Sequence, residues 1–353
     1  MKILYFGTYN PNYARNRVLI KGLKKNCIEV LECRSSSKGL LAFFDLFFKY
    51  LKFLGKYDFM LVGFPGQEAM FLARFLTRKP IVFDAFTSHY GGYILDRQYY
   101  SPESFRSKYY RFLDKWSCKL ADLVLLDTNA HIDFFVREFG LPREKFRRIF
   151  VGTDSDIFCP RNAEKRDDKF LVHFHGHYIP LHGVKYIIEA AKILENEDTL
   201  FNLIGKGQTF EEDRKLAEKF GLENISFIDS IPYYKLPDYI GQADVCLGIF
   251  GDSPKADLVI PNKVYEALAM GKPIITSDTP AARELLSDGV NVFLCQKTDA
   301  KRLAEKILFV RDNPVIAERV AQNGLKLFEE KLKEKNLGTE LLEYINEKTA
   351  LRK

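Results

Sequence analysis

The chain has no run of the roughly 20 uninterrupted apolar residues that a membrane-spanning helix needs. Its longest apolar stretch, residues 39–54 (GLLAFFDLFFKYLKFL), is broken by Asp45, Lys49 and Lys52. It has no CxxC pair. Cys27, Cys33, Cys118, Cys159, Cys246 and Cys295 are scattered without zinc-ligand spacing and read as reduced, mostly buried thiols. The opening run Ile3-Leu4-Tyr5-Phe6 is too short for the apolar core of a secretory signal, so a cytoplasmic location is expected. Neither GxGxxG nor GxxxxGK[ST] occurs, which disfavours a nicotinamide dehydrogenase or a P-loop ATPase. Glycine and proline are not in excess, at 22 and 14 of 353 residues, which excludes collagen-like and low-complexity chains.

What is present is an ordinary globular composition, 46% hydrophobic and 28% charged, long enough for two domains with their own cores. The net charge of +6 is unevenly spread. Residues 1–160 hold 25 basic and 16 acidic residues, a balance of +9, and the rest hold 28 and 31, a balance of −3. Short β-branched and aromatic runs alternate with segments of helical period. Strands are expected near 2–6, 27–33, 58–63, 80–84, 122–127 and 147–151, with helices near 14–25, 40–54, 67–77, 103–119 and 130–139. A polar linker is expected at 159–169. A second series follows, with strands near 170–176, 199–204, 224–228, 243–249, 273–277 and 291–294 and a helical end from about 299 to 347. Alternation of this kind implies right-handed crossovers and parallel sheets. The expected fold is α/β, two Rossmann-like doubly wound domains, 1–160 and 161–330, facing across a cleft. The segment 331–353 is a terminal helix expected to return to the first domain. Ligands of such sheets sit at the carboxyl ends of the strands.

The most informative segment is residues 260–278 (IPNKVYEALAMGKPIITSD). Pro261 suits a first helical position and Gly271 a C′ stop, which bounds a short helix. Val264, Ala267 and Leu268 form its apolar stripe, and Asn262, Lys263 and Glu266 share another face. A carboxylate there can accept both hydroxyls of a ribose; a solvated Glu–Lys pair on a surface helix satisfies the same spacing. Gly183 opens a helix whose N-terminus favours an anion, and Gly205-Lys206-Gly207 allows close backbone approach to a ligand. His173, His175, His177 and His182 raise the question of a metal. Three of them would share one strand face, but Gly176 interrupts the strand and no nearby Cys or carboxylate completes a set. His173 and His175 therefore read as buried structural residues, His177 and His182 as loop residues, and no metal is expected.

These segments, in the order GHYIPLHGVKYIIEAAKIL, LIGKG, ISFIDSIPYYKLPDYIGQADV, PNKVYEALAMGKPIITSD and RELLSDGVNVFL, resemble the large retaining glycosyltransferase family four, within the group 1 glycosyl transferases, that includes bacterial glycogen synthases and mannosyltransferases. The resemblance runs from Phe174 to Leu294 and more loosely over the first half. It implies the GT-B fold, a nucleotide-diphosphate sugar held by the second domain, and ribose binding by Glu266. It implies same-face displacement without a carboxylate nucleophile, with Lys263, Lys206 and the helix opened at Gly183 neutralising the leaving diphosphate. No cofactor is implied beyond the donor substrate. Two departures stand out. Many relatives carry a second glutamate eight positions before Glu266, where this chain has Leu258, with Asp257 one further back. The family's Arg and Lys in the loop at 176–183 are replaced by His177 and His182 beside Gly176. An imidazole is a weaker anion partner, unless the diphosphate draws a proton onto it.

In the first half, Gly7 and Thr8 end the first strand and face the expected cleft. Arg15 and Arg17 suit an acceptor phosphate or a simple helix start. The loop 84–97 (DAFTSHYGGYILDR) offers His89, which by the resemblance contacts the transferred sugar, with Asp84 and Asp96 as alternatives. Asp127-Thr128-Asn129 reads first as a helix cap. Gly152, before the hinge, approaches the donor in the resembling family. The aromatic helix 40–54, flanked by Lys49, Lys52 and Lys56, is either well buried or an in-plane membrane contact. The +9 half is thus expected to serve the acceptor, a glycan or a lipid-linked molecule, with an anionic membrane surface as a candidate partner. Nucleic acid is disfavoured, because the basic excess forms no recognisable module. An epimerase on the same architecture and a non-catalytic sugar-nucleotide binder remain the rival readings.

Overall fold

The computed structural model describes residues 1–37, 39–161 and 168–350; the expected linker 159–169 falls largely outside them. The chain forms two compact units, each with its own six-stranded parallel sheet.

The first unit comprises Met1–Ile94, Gln98–Asp154 and Leu332–Lys353. Its strands are β1 (Lys2–Gly7), β2 (Glu29–Arg34), β3 (Phe59–Val62), β4 (Ile81–Phe86), β5 (Leu123–Leu126) and β6 (Phe146–Arg148), in the order β2-β1-β3-β4-β5-β6. Ile3 pairs in register with Val30 on one side and Phe59 on the other. β3, β4 and β5 are buried along their whole length, as strands covered on both faces must be. The connecting helices are α1 (Ala14–Lys25), α2 (Leu40–Tyr50), α3 (Ala69–Leu76), α4 (Phe105–Leu120) and α5 (Asn129–Phe139). Thr128 caps α5 by accepting from the His131 N–H, and Asp127 bonds the His131 ring at 2.7 Å, so the cap reading of this triplet holds.

The second unit comprises Leu95–Arg97 and Ser155–Lys331. Its strands are β7 (Phe170–His175), β8 (Thr199–Ile204), β9 (Ile225–Ile228), β10 (Val245–Leu247), β11 (Ile274–Ser277) and β12 (Phe293–Cys295), in the order β12-β11-β10-β7-β8-β9. Strand order reverses between β7 and β10. Its helices are α6 (Val184–Ile193), α7 (Phe210–Phe220), α8 (Leu236–Gln242), α9 (Asn262–Ala269), α10 (Pro280–Arg283), α11 (Ala300–Asp312) and α12 (Pro314–Leu327). The core joins Val172, Phe174, Phe201, Leu203, Val245 and Ile275 on the sheet to Ile187, Ile188, Leu303 and Ile307 on the helices.

The helical end is broken rather than continuous. Pro314 opens α12 because it has no N–H to continue α11. A wider turn at Phe328–Leu332 then leads into α13 (Glu334–Ala350), which packs on α1 and completes the first unit. No helix among the described residues is long and apolar enough to cross a membrane.

Candidate functional site

The reversal of strand order in the second unit is where an open α/β sheet leaves a crevice at its carboxyl edge. β7 ends there at Gly176, and α9 runs past it. The short helix has the expected stop, with Gly271 at φ +63°, but Pro261 stands one residue earlier than expected, at the N-cap. The surface-helix alternative is overturned: Lys263 is 6% exposed and Glu266 3%.

Two polar networks meet on this helix. Glu266 Oε2 lies 2.7 Å from His175 Nε2, and Glu266 Oε1 accepts from the Tyr233 hydroxyl at 3.2 Å. His175 Nδ1 in turn lies 3.0 Å from His173 Nε2. An ionised Glu266 requires a proton on His175 Nε2. His175 Nδ1 then accepts from His173, leaving His173 Nδ1 as a buried atom without a partner. Burial, with Lys263 nearby, holds the His173 pKa well below the usual imidazole range. The carboxylate absent from the histidines' own stretch of chain is therefore supplied by α9.

The second network is cationic. Lys263 Nζ lies 3.2 Å from His182 Nε2 and 4.6 Å from the Phe174 ring centre. Desolvation brings the Lys263 ammonium down to about 7, against a smaller opposing pull from Glu266. His182 Nδ1 faces the His177 carbonyl and must donate to it, so Nε2 is the acceptor for Lys263. Burial, with Lys263 beside it, pushes the His182 pKa well below its ordinary value. In the ligand-free site His182 is thus a neutral partner of the lysine. Gly176 adopts φ +147°, a conformation in which any side chain is strained, and a Cβ there would also crowd Lys263 Nζ at 3.1 Å.

The remaining candidates of this unit fall around the same edge. The segments 176–178 and 205–207 lie side by side, with Gly176 N bonded to Ile204 O and Tyr178 bridged to Gly207. Lys206 is exposed and pairs with Asp229 at 3.0 Å. Gly183 precedes α6 in a left-handed conformation with no side-chain cap. Asn262 opens α9, half-buried, and His177 is exposed. Leu258 is buried, and Asp257 gives both oxygens to Lys297 at 2.9 Å, so neither reproduces a free second carboxylate.

In the first unit the candidates separate. Arg15 is fully buried and donates to both oxygens of Asp84 and to the carbonyls of Ile149 and Phe150. Both residues are spent on the fold, which corrects the reading of Arg15 as an acceptor-phosphate contact and of Asp84 as an alternative to His89. Arg17 donates to the Asn12 carbonyl. Asp96 belongs to the second unit, where it accepts from the Leu181 N–H at 2.9 Å. Gly152 admits the returning chain: a Cβ there would sit 2.5 Å from the Leu332 carbonyl oxygen. Gly7 and Thr8 end β1, and Thr8 lines a cavity of about 720 Å³ with Asn10, Arg34 and Phe43. His89 is half-buried among Tyr93 and Tyr110, with its backbone N–H held by Asp114 and its Nδ1 without a partner. Burial raises the Asp114 carboxyl.

Residues 158–327, nearly all of the second unit, match the family model of the glycosyl transferases group 1. The chain is similar to the alpha-D-kanosaminyltransferase of Streptomyces kanamyceticus, 23% identical over 239 residues, 62% of this chain and 58% of that protein. It is also similar to the amylovoran biosynthesis glycosyltransferase AmsK of Erwinia amylovora, 24% identical over 173 residues, 48% of this chain and 42% of that protein. The chain thus spans about half the length of these curated relatives. Among solved structures, Anabaena HepE in complex with UDP-glucose matches with a TM-score of 0.72 at 18% identity, over 98% of this chain and 100% of that one. The sucrose-phosphate synthase of Thermosynechococcus elongatus matches at 0.74 and 14%, over 99% of each chain. At such identities the likeness is one of fold, and the fold is GT-B, with two Rossmann-like sheets flanked by helices.

His175 and Tyr233 are the residues that sequence reasoning missed as partners of Glu266. Nothing local links His175 to a carboxylate 91 positions away. The only available signal was the polar character of His173 and His175 in a strand that is otherwise apolar.

Proposed function

We propose that the chain is a retaining, metal-independent glycosyltransferase that moves a sugar from a nucleotide-diphosphate donor to a glycan or lipid-linked acceptor at the cytoplasmic face of the cell membrane. The observation that carries this reading is the pair Lys263 and Glu266, buried one turn apart on α9 at the carboxyl edge where strand order reverses. A carboxylate held by His175 and Tyr233 is set to receive the two hydroxyls of a ribose. Lys263, poorly solvated before the donor arrives, gains most from a diphosphate, whose charge grows as the sugar leaves. A cation fixed by the protein supplies what a divalent metal supplies elsewhere. The match of this unit to the group 1 family model and the likeness to HepE, which is solved with UDP and with UDP-glucose, support a nucleotide sugar as donor. In the first unit, His89, with its unpartnered Nδ1, is the proposed contact with the transferred sugar.

The test is donor binding by thermal shift with uridine diphosphate and with its 2′-deoxy analogue. The wild type should be stabilised by the first far more than by the second, and Glu266→Gln should lose that preference while keeping its own melting temperature. Equal stabilisation by both nucleotides in the wild type would refute ribose binding by Glu266.

A further inference from the structure

The crossovers from β2 to β3, β3 to β4 and β4 to β5 all step the same way across the sheet of the first unit. Right-handedness therefore places α2, α3 and α4 in one layer, with α3 in contact with both neighbours. Each of these helices buries one stripe against the sheet and exposes a second apolar stripe on its outer side.

On α2, Ala42, Leu46 and Tyr50 are buried, while Leu41, Phe44 and Phe48, followed by Leu51, point outward. On α4, Leu113, Ser117 and Cys118 are buried, while Phe105, Tyr109, Phe112 and Trp116 follow one another at helical spacing on the exposed side. On α3, Phe71 stacks on Phe112 with ring centres 6.1 Å apart, and Phe75, one turn on, is 80% exposed. Phe105 is 83% exposed. The 720 Å³ cavity is lined by both helices, with Leu40, Phe43 and Leu46 from α2 and Tyr109 from α4. A folded chain does not leave so extended an apolar surface in water without an occupant.

The charges on the same layer are mostly basic: α2 carries one carboxylate, Asp45, paired with Lys49 at 2.7 Å, and Glu68 lines the cavity. Arg106, Lys108, Arg111, Lys115 and Lys119 stand on α4 against a single carboxylate, Asp114. That carboxylate is buried and committed to Ser88 and to the His89 and Tyr90 N–H groups. Lys119 Nζ lies 4.6 Å from the Trp116 ring, so ammonium and indole alternate at the surface. Exposed Lys52 and Lys56 follow α2, and exposed Arg78 follows α3.

We propose that the outer face of α2, α3 and α4 docks in the plane of an anionic lipid bilayer. Aromatic side chains enter the headgroup region while the lysines and arginines meet acidic headgroups. A second copy of the chain fits this face poorly, because a self-complementary contact would set the cations of α4 against themselves. The proposal rests on the membrane location given above and supplies its surface. It also brings the cavity, whose lining includes the polar residues Thr8, Asn10 and Ser35, to the depth at which a lipid-linked acceptor presents its head.

Trp116 is the chain's single tryptophan, so docking is read directly. The full-length protein is mixed with vesicles of phosphatidylcholine alone or of equal parts phosphatidylcholine and phosphatidylglycerol. Emission should shift to the blue, and the protein should sediment, only with the anionic vesicles, and added salt should release it. Phe44→Ser/Phe48→Ser and Lys108→Glu/Lys115→Glu, at exposed sites except the half-buried Lys115, should each weaken the partition about 10-fold or more. The uridine diphosphate thermal shift, which reports on the second unit, should stay as in the wild type. Three results overturn the proposal: wild-type protein left in the supernatant with anionic vesicles, partition indifferent to both pairs of substitutions, or a dimer in solution that the Phe44/Phe48 pair abolishes. Loss of the nucleotide shift with vesicle binding intact would instead overturn the donor reading and leave the docking surface standing.

Discussion

His175 Nε2 lies 2.7 Å from Glu266 Oε2, joining the last residue of β7 to the middle of α9. The bond fixes one oxygen of the carboxylate and, through His173, ties its orientation to the core of the sheet. Among the described residues, the other oxygen accepts from the phenol of Tyr233, at 3.2 Å.

His175→Leu should therefore act on the donor. With Glu266 Oε2 left unpaired, the substitution should cost about 1–3 kcal/mol of stability and raise the donor KM about 10-fold. Turnover at saturating donor should change much less. His175→Asn, which can still donate, should recover most of the KM. A donor KM unmoved by His175→Leu would mean that His175 has no part in orienting Glu266.

Lys263 gives the site a pH dependence with a definite sign. Its folded pKa, near 7, is below its value in an unfolded chain, so the unfolded state binds more protons from about pH 7 to pH 10. Stability should rise with pH across that window, by at most about 1.4 kcal/mol per unit. Donor affinity should run the other way, since a diphosphate selects the ammonium. Binding should take up a proton above pH 7, seen as a calorimetric enthalpy that depends on the buffer. The groups facing Lys263 (His182, Glu266 and the Phe174 ring) are fixed in this picture, and Lys263→Met should abolish both slopes.

Arg15 and Asp84 form a fully buried, forked ion pair that also satisfies two carbonyls of the chain after β6. Removing one member leaves the other charge buried without its partner, at a cost of about 3–5 kcal/mol. Arg15→Met should lower the melting temperature of the first unit strongly, and Arg15→Lys should rescue little because a point charge cannot replace the fork. A mild effect of Arg15→Met on melting, with a large effect on acceptor KM, would restore the acceptor role.

Metal independence is checked by turnover in EDTA. On the proposed reading, in which Lys263 supplies the charge for the leaving diphosphate, the rate should be unchanged. A rate lost in EDTA and regained on adding Mn²⁺ would refute this.

Much of the architecture was legible in the amino-acid order. The β1, β4 and β7 runs, the helical periods between them and the glycine stop at Gly271 are local properties, and each appears close to its expected place. The helical end was less legible: its periodicity runs across Pro314, and only the missing N–H separates α11 from α12. Of the site, Glu266 and Lys263 could be picked out by their spacing on α9 and by the family's motif order.

What the order of residues could not decide is what each face meets. A period of 3.6 tells which side chains share a stripe, but not whether a distant segment covers them. Arg15 looked available at a helix start, and the fold buried it against Asp84. Lys263 looked solvated, and packing beneath Phe174 and His182 removed its water, which is what lowers its pKa. The aromatic stripe of α2 suited burial and membrane contact equally, and the sheet left its outer half uncovered beside that of α4. Alternating periodicity, a local quantity, determined the two sheets. Burial is a sum over contacts distant in sequence, and only the tertiary structure decided which charges are dry, paired or presented to solvent.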